Sequence, residues 1–185
     1  MNSFHSLAPS LLISMPQLND PHFDHSVVLL CEHGKDGAFG LILNKPADQL
    51  ASEVVRMTPP ISGTSDLGLW IGGPVAPERG WILVGDSPGD AESVQVSPGV
   101  FLSAAPSVLR RCLESSPSPR TRLLTGCAGW TTGQLDAEVA SSSWLISDVD
   151  AELVFDVPSS TLWEEAIRRI GADPLSLQVG GGSVH

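Results

Sequence analysis

The segment VVLLCEHGKDGAFGLIL, residues 27–43, contains two apolar runs separated by a short polar turn. Residues 27–31 and 38–43 are continuously apolar rather than alternating, which is typical of strands buried on both faces. The turn between them is rich in glycine and charged residues, so the segment predicts a β-hairpin. A hairpin that is apolar on both sides needs cover on both sides, from helices or from closure of the sheet on itself.

Outside the hairpin, the sequence predicts many short strands and few helices. Apolar runs predict strands at residues 10–14, 69–71, 81–84, 94–96, 100–103, 122–125, 144–147 and 152–155. Helices are predicted at residues 106–114, 133–141 and 162–170, and from Asp48 through Leu50, Val54 and Val55. Thr161 and Glu164 have the spacing of a capping box for the 162–170 helix, and Gly171 follows at its C-terminal end. This mixed order predicts an α+β domain with an antiparallel-rich, curved sheet flanked by helices.

Length and charge limit the kind of protein. The chain has 185 residues, 42% of them hydrophobic, which predicts one globular domain, placed at residues 1–177, and a glycine-rich tail at 178–185. The net charge of −11 opposes binding to the phosphate backbone of DNA or to an anionic membrane, although Arg110, Arg111, Arg120 and Arg122 offset it locally. Three widely spaced cysteines and the absence of a signal-peptide pattern favour reduced thiols and a cytoplasmic location.

Two clusters of polar residues surround the hairpin. Asp20, His22, Asp24 and His25 precede it and contain side chains that zinc prefers, but the Asp-Pro start is equally typical of a solvated turn. Glu32 and His33 follow the first strand, where a carboxylate and an imidazole provide a general base if they converge. The alternative is that Glu32 and His33 form a polar pair at the end of the hairpin and hydrogen-bond the backbone of the turn.

Two glycine-rich segments lie further along the chain. GCAGWTTGQLDAE, residues 126–138, leads from a predicted strand into a predicted helix, an arrangement that can hold an anion at the helix N-terminus. The segment matches neither the Walker A pattern nor the G-x-G-x-x-G pattern of phosphate-binding loops. Gln134 and Glu138 lie four residues apart, so they share one face of the predicted helix. In WIGGPV, residues 70–75, Gly72 and Gly73 allow close backbone approach, which is a structural role more often than a binding one.

Taken together, these segments resemble the YqgE/AlgH family of bacterial proteins. The matching stretches cover residues 12–46, 70–75, 126–146 and 162–174, in order along nearly the whole chain. The resemblance implies one domain whose curved sheet approaches a flattened barrel, and it implies no established activity. His25 and Cys127 depart from the family pattern, which weakens both a histidine metal site and a cysteine nucleophile.

The expected function is therefore binding rather than catalysis. We expect a cytoplasmic accessory protein, without cofactor or metal, that binds a small molecule or a protein partner and affects transcription only indirectly. The alternative is a hydrolase that uses Glu32 or His33 as general base, either with the help of a metal ion or without one. The residues predicted to form the ligand or partner site are Glu32, His33, Asn44, Gly72, Gly73, Gly129, Trp130, Gln134 and Glu138. This prediction requires that the hairpin tip and the Trp130 segment meet in space.

Overall fold

The computed structural model describes residues 4–63 and 65–179. The strands in these residues are β1 (Ser10–Ser14), β2 (Val27–Gly34), β3 (Gly37–Ile42), β4 (Pro46–Leu50), β5 (Gly68–Ile71), β6 (Val75–Val84), β7 (Val94–Ser97), β8 (Val100–Ser103), β9 (Thr121–Trp130) and β10 (Trp144–Ser147). The helices are α1 (Ala51–Val54), α2 (Pro106–Glu114), α3 (Gln134–Ala140), α4 (Ala151–Phe155), α5 (Leu162–Arg169) and α6 (Pro174–Val179).

The strands form one curled sheet, a half-barrel, in the order β10-β1-β2-β3-β9-β6-β8-β7. Pairing along this path is antiparallel, and β5, which also pairs with β4, adds a parallel contact to β9. The long strand β9 therefore meets β3 near its end, β5 near its start and β6 on its other side. The predicted α+β fold with an antiparallel-rich, curved sheet is confirmed.

The predicted hairpin is β2–β3, and its two faces belong to different cores. Leu29 and Leu41 point into a cluster covered by α4 and α5. Leu30 and Ile42 point into a second cluster with Trp130, Trp144 and Leu135. All four leucine and isoleucine side chains are at most 1% exposed. Because each face of the hairpin has its own apolar cover, successive residues of the strand are apolar without alternation.

Several predicted elements differ from the structure. Residues 152–155 form helix α4 rather than a strand, because the Asp150 side chain accepts a hydrogen bond from the Glu152 amide and starts a helical turn. The helix predicted from Asp48 starts only at Ala51, since β4 pairs with β5 up to Leu50.

The predicted capping box at Thr161 is also wrong. The Thr161 hydroxyl donates to the carbonyl of Pro158 rather than capping α5. Gly171 does end that helix with a positive φ of 82°. The predicted domain limit at residue 177 falls within α6, and residues 180–185 of the predicted tail lie outside the described residues.

Candidate functional site

The hairpin tip and the end of β9 lie side by side. His33 pairs with Ala38 across the hairpin, and Ala38 pairs with Trp130 of β9. Phe39 faces Gly129 in the same register. The structure thus brings together two segments whose residues His33 and Trp130 lie 97 positions apart in the sequence.

A cleft of about 480 Å³ opens where these segments meet. Its lining consists of Glu32, His33, Gly34, Asp36, Gly37, Ala38, Phe39 and Trp130. Glu32 and Asp36 are exposed, Phe39 is half-buried, and Trp130 is buried. The cleft therefore combines two accessible carboxylates with one half-buried aromatic side chain, Phe39.

His33 is buried beside the cleft and both of its ring nitrogens have partners. The Leu7 amide donates to Nδ1 over 2.9 Å, which makes Nδ1 the acceptor and places the proton of the neutral ring on Nε2. Nε2 lies 3.2 Å from Oδ2 of Asp136 on α3, and donates to it. The His33 side chain is only 1% exposed. These contacts fix the ring and its tautomer.

Trp130, Gln134 and Glu138 form a hydrogen-bonded support behind the cleft. Glu138 Oε2 accepts from the indole N–H of Trp130 at 2.9 Å and of Trp144 at 2.8 Å. Gln134 Nε2 donates to Glu138 Oε1 at 3.0 Å, and its own Oε1 accepts from the Thr131 amide. The shared helix face predicted for Gln134 and Glu138 exists, and it holds Trp130 in position rather than lining the cleft.

Three of the predicted site residues lie away from the cleft. Asn44 follows the opposite end of β3, roughly 20 Å along the strand from Ala38. Its Oδ1 accepts from the Val27 amide and its Nδ2 donates to the His25 carbonyl, so it joins two chain segments. A Cβ added to Gly72 or Gly73 would come within 2.4 Å of the backbone of Gly126 or Cys127, so this glycine pair permits the crossing of two chain segments.

The polar cluster before the hairpin is a structured turn. The Asp20 side chain accepts from the His22 amide, and the Asp24 carboxylate contacts His25 Nδ1 at 2.7 Å. Lys45 donates to the His22 carbonyl. Within residues 4–63 and 65–179, no three His, Cys, Asp or Glu side chains are placed to hold one metal ion. The turn interpretation of this cluster therefore fits the geometry better than the zinc interpretation.

The three cysteines are free thiols, and burial raises the pKa of each. The effect is largest for Cys31, where burial and then the Glu32 carboxylate raise the pKa to about 12. Burial also raises the pKa of Cys112 and of Cys127. A thiolate nucleophile is therefore disfavoured at each position.

Sequence reasoning missed three residues of this region. Asp136 bonds His33, while Asp36 and Phe39 line the cleft. Asp36 lies in the predicted turn and Asp136 in the quoted segment 126–138, so both were visible as acidic residues near predicted site residues. Only the pairing of β3 with β9 shows that α3 begins beside His33.

Comparison with known proteins identifies the family. The model of the AlgH-like family DUF179 matches residues 11–175. The chain belongs to the AlgH-like family. A relative from Myxococcus xanthus, named a UPF0301 protein, is 40% identical over 179 residues, covering 96% of this chain and 98% of the relative. A UPF0301 protein of Ruegeria pomeroyi is 37% identical, in an alignment that covers 95% of this chain and 98% of the relative.

Solved structures of similar proteins agree with the AlgH-like fold. The solution structure of AlgH from Pseudomonas aeruginosa matches with a TM-score of 0.77 and 28% identity, covering 100% of this chain and 98% of that one. A crystal structure of a Corynebacterium diphtheriae protein matches with a TM-score of 0.71 over 99% of this chain and 95% of that one, at 19% identity, and so supports the fold alone. These comparisons establish the family of the chain but not its activity. Among the residues with described positions, no helix is long and apolar enough to cross a membrane.

Proposed function

We propose that this AlgH-like protein is a non-enzymatic binding protein whose hairpin cleft receives a cationic group of a small molecule or a protein partner. The observation that carries this proposal is the composition of the cleft. Glu32 and Asp36 are exposed at its rim, and the half-buried Phe39 contributes an aromatic side chain. Carboxylates and aromatic faces both attract ammonium and guanidinium groups. No cofactor enters this proposal.

The fixed state of His33 supports binding over the hydrolase alternative. A general base needs a free ring nitrogen directed at substrate, and here Nδ1 accepts from Leu7 while Nε2 donates to Asp136. Glu32 and His33 are consecutive strand residues, one exposed and one buried, so their side chains lie on opposite faces. The carboxylate and the imidazole therefore do not converge on one point, as the hydrolase alternative requires of its general base.

An indirect rather than direct role in transcription follows from the arginines. Arg110 pairs with Glu114 and Arg120 pairs with Asp156, which neutralises half of the basic patch. The Arg122 guanidinium lies over the Trp70 ring at 5.1 Å and donates to the Phe155 carbonyl. Together with the net charge of −11, these contacts favour a protein or small-molecule partner over DNA. Free thiols at Cys31, Cys112 and Cys127 support the cytoplasm as its compartment.

The test is an NMR titration with N-acetyl-lysine amide as a cationic probe and N-acetyl-norleucine amide as its uncharged counterpart. We expect saturable shift changes at the Gly34, Gly37 and Trp130 amides with the lysine probe only. Glu32→Gln and Asp36→Asn should each weaken binding by roughly two- to fivefold, the range of exposed ion pairs.

The matched control is Glu92→Gln, which removes an exposed carboxylate from a distant loop. This variant should bind the probe as the wild type does. Equal shifts with both probes, or shifts that map away from the hairpin, would contradict the proposal.

A further inference from the structure

The N-terminal segment, residues 4–9, is hydrogen-bonded to the rest of the protein through His33. The Ser6 hydroxyl donates to the His33 carbonyl at 2.9 Å, and the Leu7 amide donates to His33 Nδ1 at 2.9 Å. The other hydrogen bonds of the segment join Ser6 to Ala8, within the segment itself. Among the described residues, every hydrogen bond that leaves this segment therefore ends on one histidine.

Apolar contacts complete the attachment. The Phe4 ring meets the His33 ring edge-on, with centroids 4.9 Å apart, while Phe4 itself stays 39% exposed. Leu7 and Ala8 pack against the cluster that contains Trp130. The segment thus covers His33 next to the cleft, with modest apolar burial of its own.

The hydrogen bond from Leu7 requires an unprotonated Nδ1. Protonation of the imidazole would put a second N–H at Nδ1, facing the Leu7 N–H, and two donors cannot bond each other. The opposite nitrogen would keep its bond to Asp136, which strengthens when the ring is charged. Because the side chain is only 1% exposed, water cannot replace the lost acceptor without movement of the segment.

The titratable groups near His33 come from α3, the hairpin and the N-terminal segment. Asp136 of α3 contacts the ring directly. Glu32 and Asp36 of the hairpin line the adjoining cleft, and Lys35 lies between them in the turn. The N-terminal segment contributes His5, and β9 contributes the uncharged Trp130. Histidine is also the side chain whose charge ordinarily changes between pH 5 and 8.

We infer that residues 4–9 form a pH-sensitive strap, which is held while His33 is neutral and released when His33 is protonated. Release uncovers the His33 ring beside the cleft and adds an imidazolium to its rim. This regulation rests on the proposed function for its purpose, because it changes the charge and access of the same cleft. The release itself needs no ligand, so it can be tested separately.

The experiment follows the Leu7 amide in 15N-labelled protein between pH 8 and pH 5. The readouts are its hydrogen-exchange protection, relative to an unstructured peptide at the same pH, and the heteronuclear NOE of residues 4–9. In the wild type we expect at least a tenfold loss of protection on acidification. The ring 15N shifts of His33 at pH 8 should show Nδ1 unprotonated, a check that needs no variant.

Two substitutions separate the ring nitrogens. In His33→Asn the side-chain oxygen can occupy the Nδ1 position, so the strap should stay protected across the whole pH range. In His33→Gln the amide reaches toward Asp136 but leaves Leu7 without its acceptor, so the strap should be released at every pH. His5→Asn, at an exposed position of the same segment, is the matched control. Its Leu7 amide should lose protection on acidification as the wild type does.

Protection at Leu7 that does not change down to pH 5, or a His33 ring protonated at Nδ1 at pH 8, would overturn the strap. Equal protection in the Asn and Gln variants would do the same. Binding of the lysine probe is measured in a separate titration. A strap that responds to pH in a protein that binds no probe supports this inference and contradicts only the proposed function.

Discussion

Gly37, at the tip of the hairpin, lies directly against the backbone carbonyl of Trp130. A Cβ added to Gly37 would be 2.2 Å from that carbonyl oxygen. The φ angle of Gly37 is 136°, a conformation that residues with a side chain rarely adopt. This contact, together with the pairing of Ala38 with Trp130, fixes the floor of the cleft.

Gly37→Ala should therefore destabilise the protein by roughly 1–3 kcal/mol, because it combines a backbone clash with an unfavourable φ. Gly34→Ala, three residues earlier in the same hairpin, is the control, since a Cβ there meets no atom within 4 Å. Its free energy of unfolding should stay within about 1 kcal/mol of the wild type. Urea unfolding measures both values, and equal losses in the two variants would contradict the contact.

Glu138 is predicted to stabilise the protein by accepting two indole N–H groups. Trp130 and Trp144 are only 6% and 3% exposed, so Glu138→Ala leaves two buried donors without an acceptor. We expect a loss of about 2–4 kcal/mol in the free energy of unfolding. Glu138→Gln retains one acceptor oxygen and should lose less than half as much. A Gln variant as unstable as the Ala variant would show that the carboxylate's charge, rather than its hydrogen bonds, is what matters.

The hairpin and its two-sided burial were predictable because they depend on residues that are adjacent in the sequence. Helix α2 was predicted with its observed bounds, since Pro106 and the apolar spacing mark it locally. The α4 segment was mistaken for a strand because Leu153, Val154 and Phe155 are all buried, and short apolar runs do not distinguish the two structures.

The candidate site was only partly predictable. Glu32, His33 and Trp130 line one cleft, whereas Asn44, Gly72 and Gly73 lie elsewhere in the fold. Which strand pairs with β3 depends on long-range contacts that local patterns do not encode. The bond from Leu7 to His33 joins positions 26 residues apart and has no sequence signal of its own.

Acid should weaken the ion pair between Arg120 and Asp156. The hydrogen bond from Arg120 lowers the pKa of the Asp156 carboxyl below its ordinary value of 3.8. A carboxyl whose pKa is lower when folded contributes stability above its unfolded pKa and loses that contribution as the pH falls through the folded pKa. Asp156→Asn should therefore be less stable than the wild type near neutral pH, and the difference should shrink below about pH 4.

Thermal unfolding from pH 7 to pH 3 measures this difference. Glu92→Gln is the control, because it removes an exposed carboxylate from another loop. A wild type and an Asp156→Asn variant that differ by the same amount at pH 7 and pH 3 would exclude the ion pair as the cause.

The thiol of Cys31 should be inert in the folded protein. With its pKa raised to about 12, first by burial and then by Glu32, Cys31 is almost entirely the neutral thiol at pH 8. Iodoacetamide labelling, read by peptide mass spectrometry, should modify Cys31 only after urea unfolding. Rapid labelling of Cys31 in native buffer would contradict this environment and would reopen a nucleophilic role.

The most direct test of the binding site is a search for intermolecular NOEs between N-acetyl-lysine amide and the protein. The account predicts NOEs from the probe's side-chain methylenes to the ring of Phe39, with the ammonium group placed near Glu32 and Asp36. NOEs confined to residues outside the hairpin, or no NOE to the Phe39 ring at saturating probe, would show that this cleft is not a recognition site.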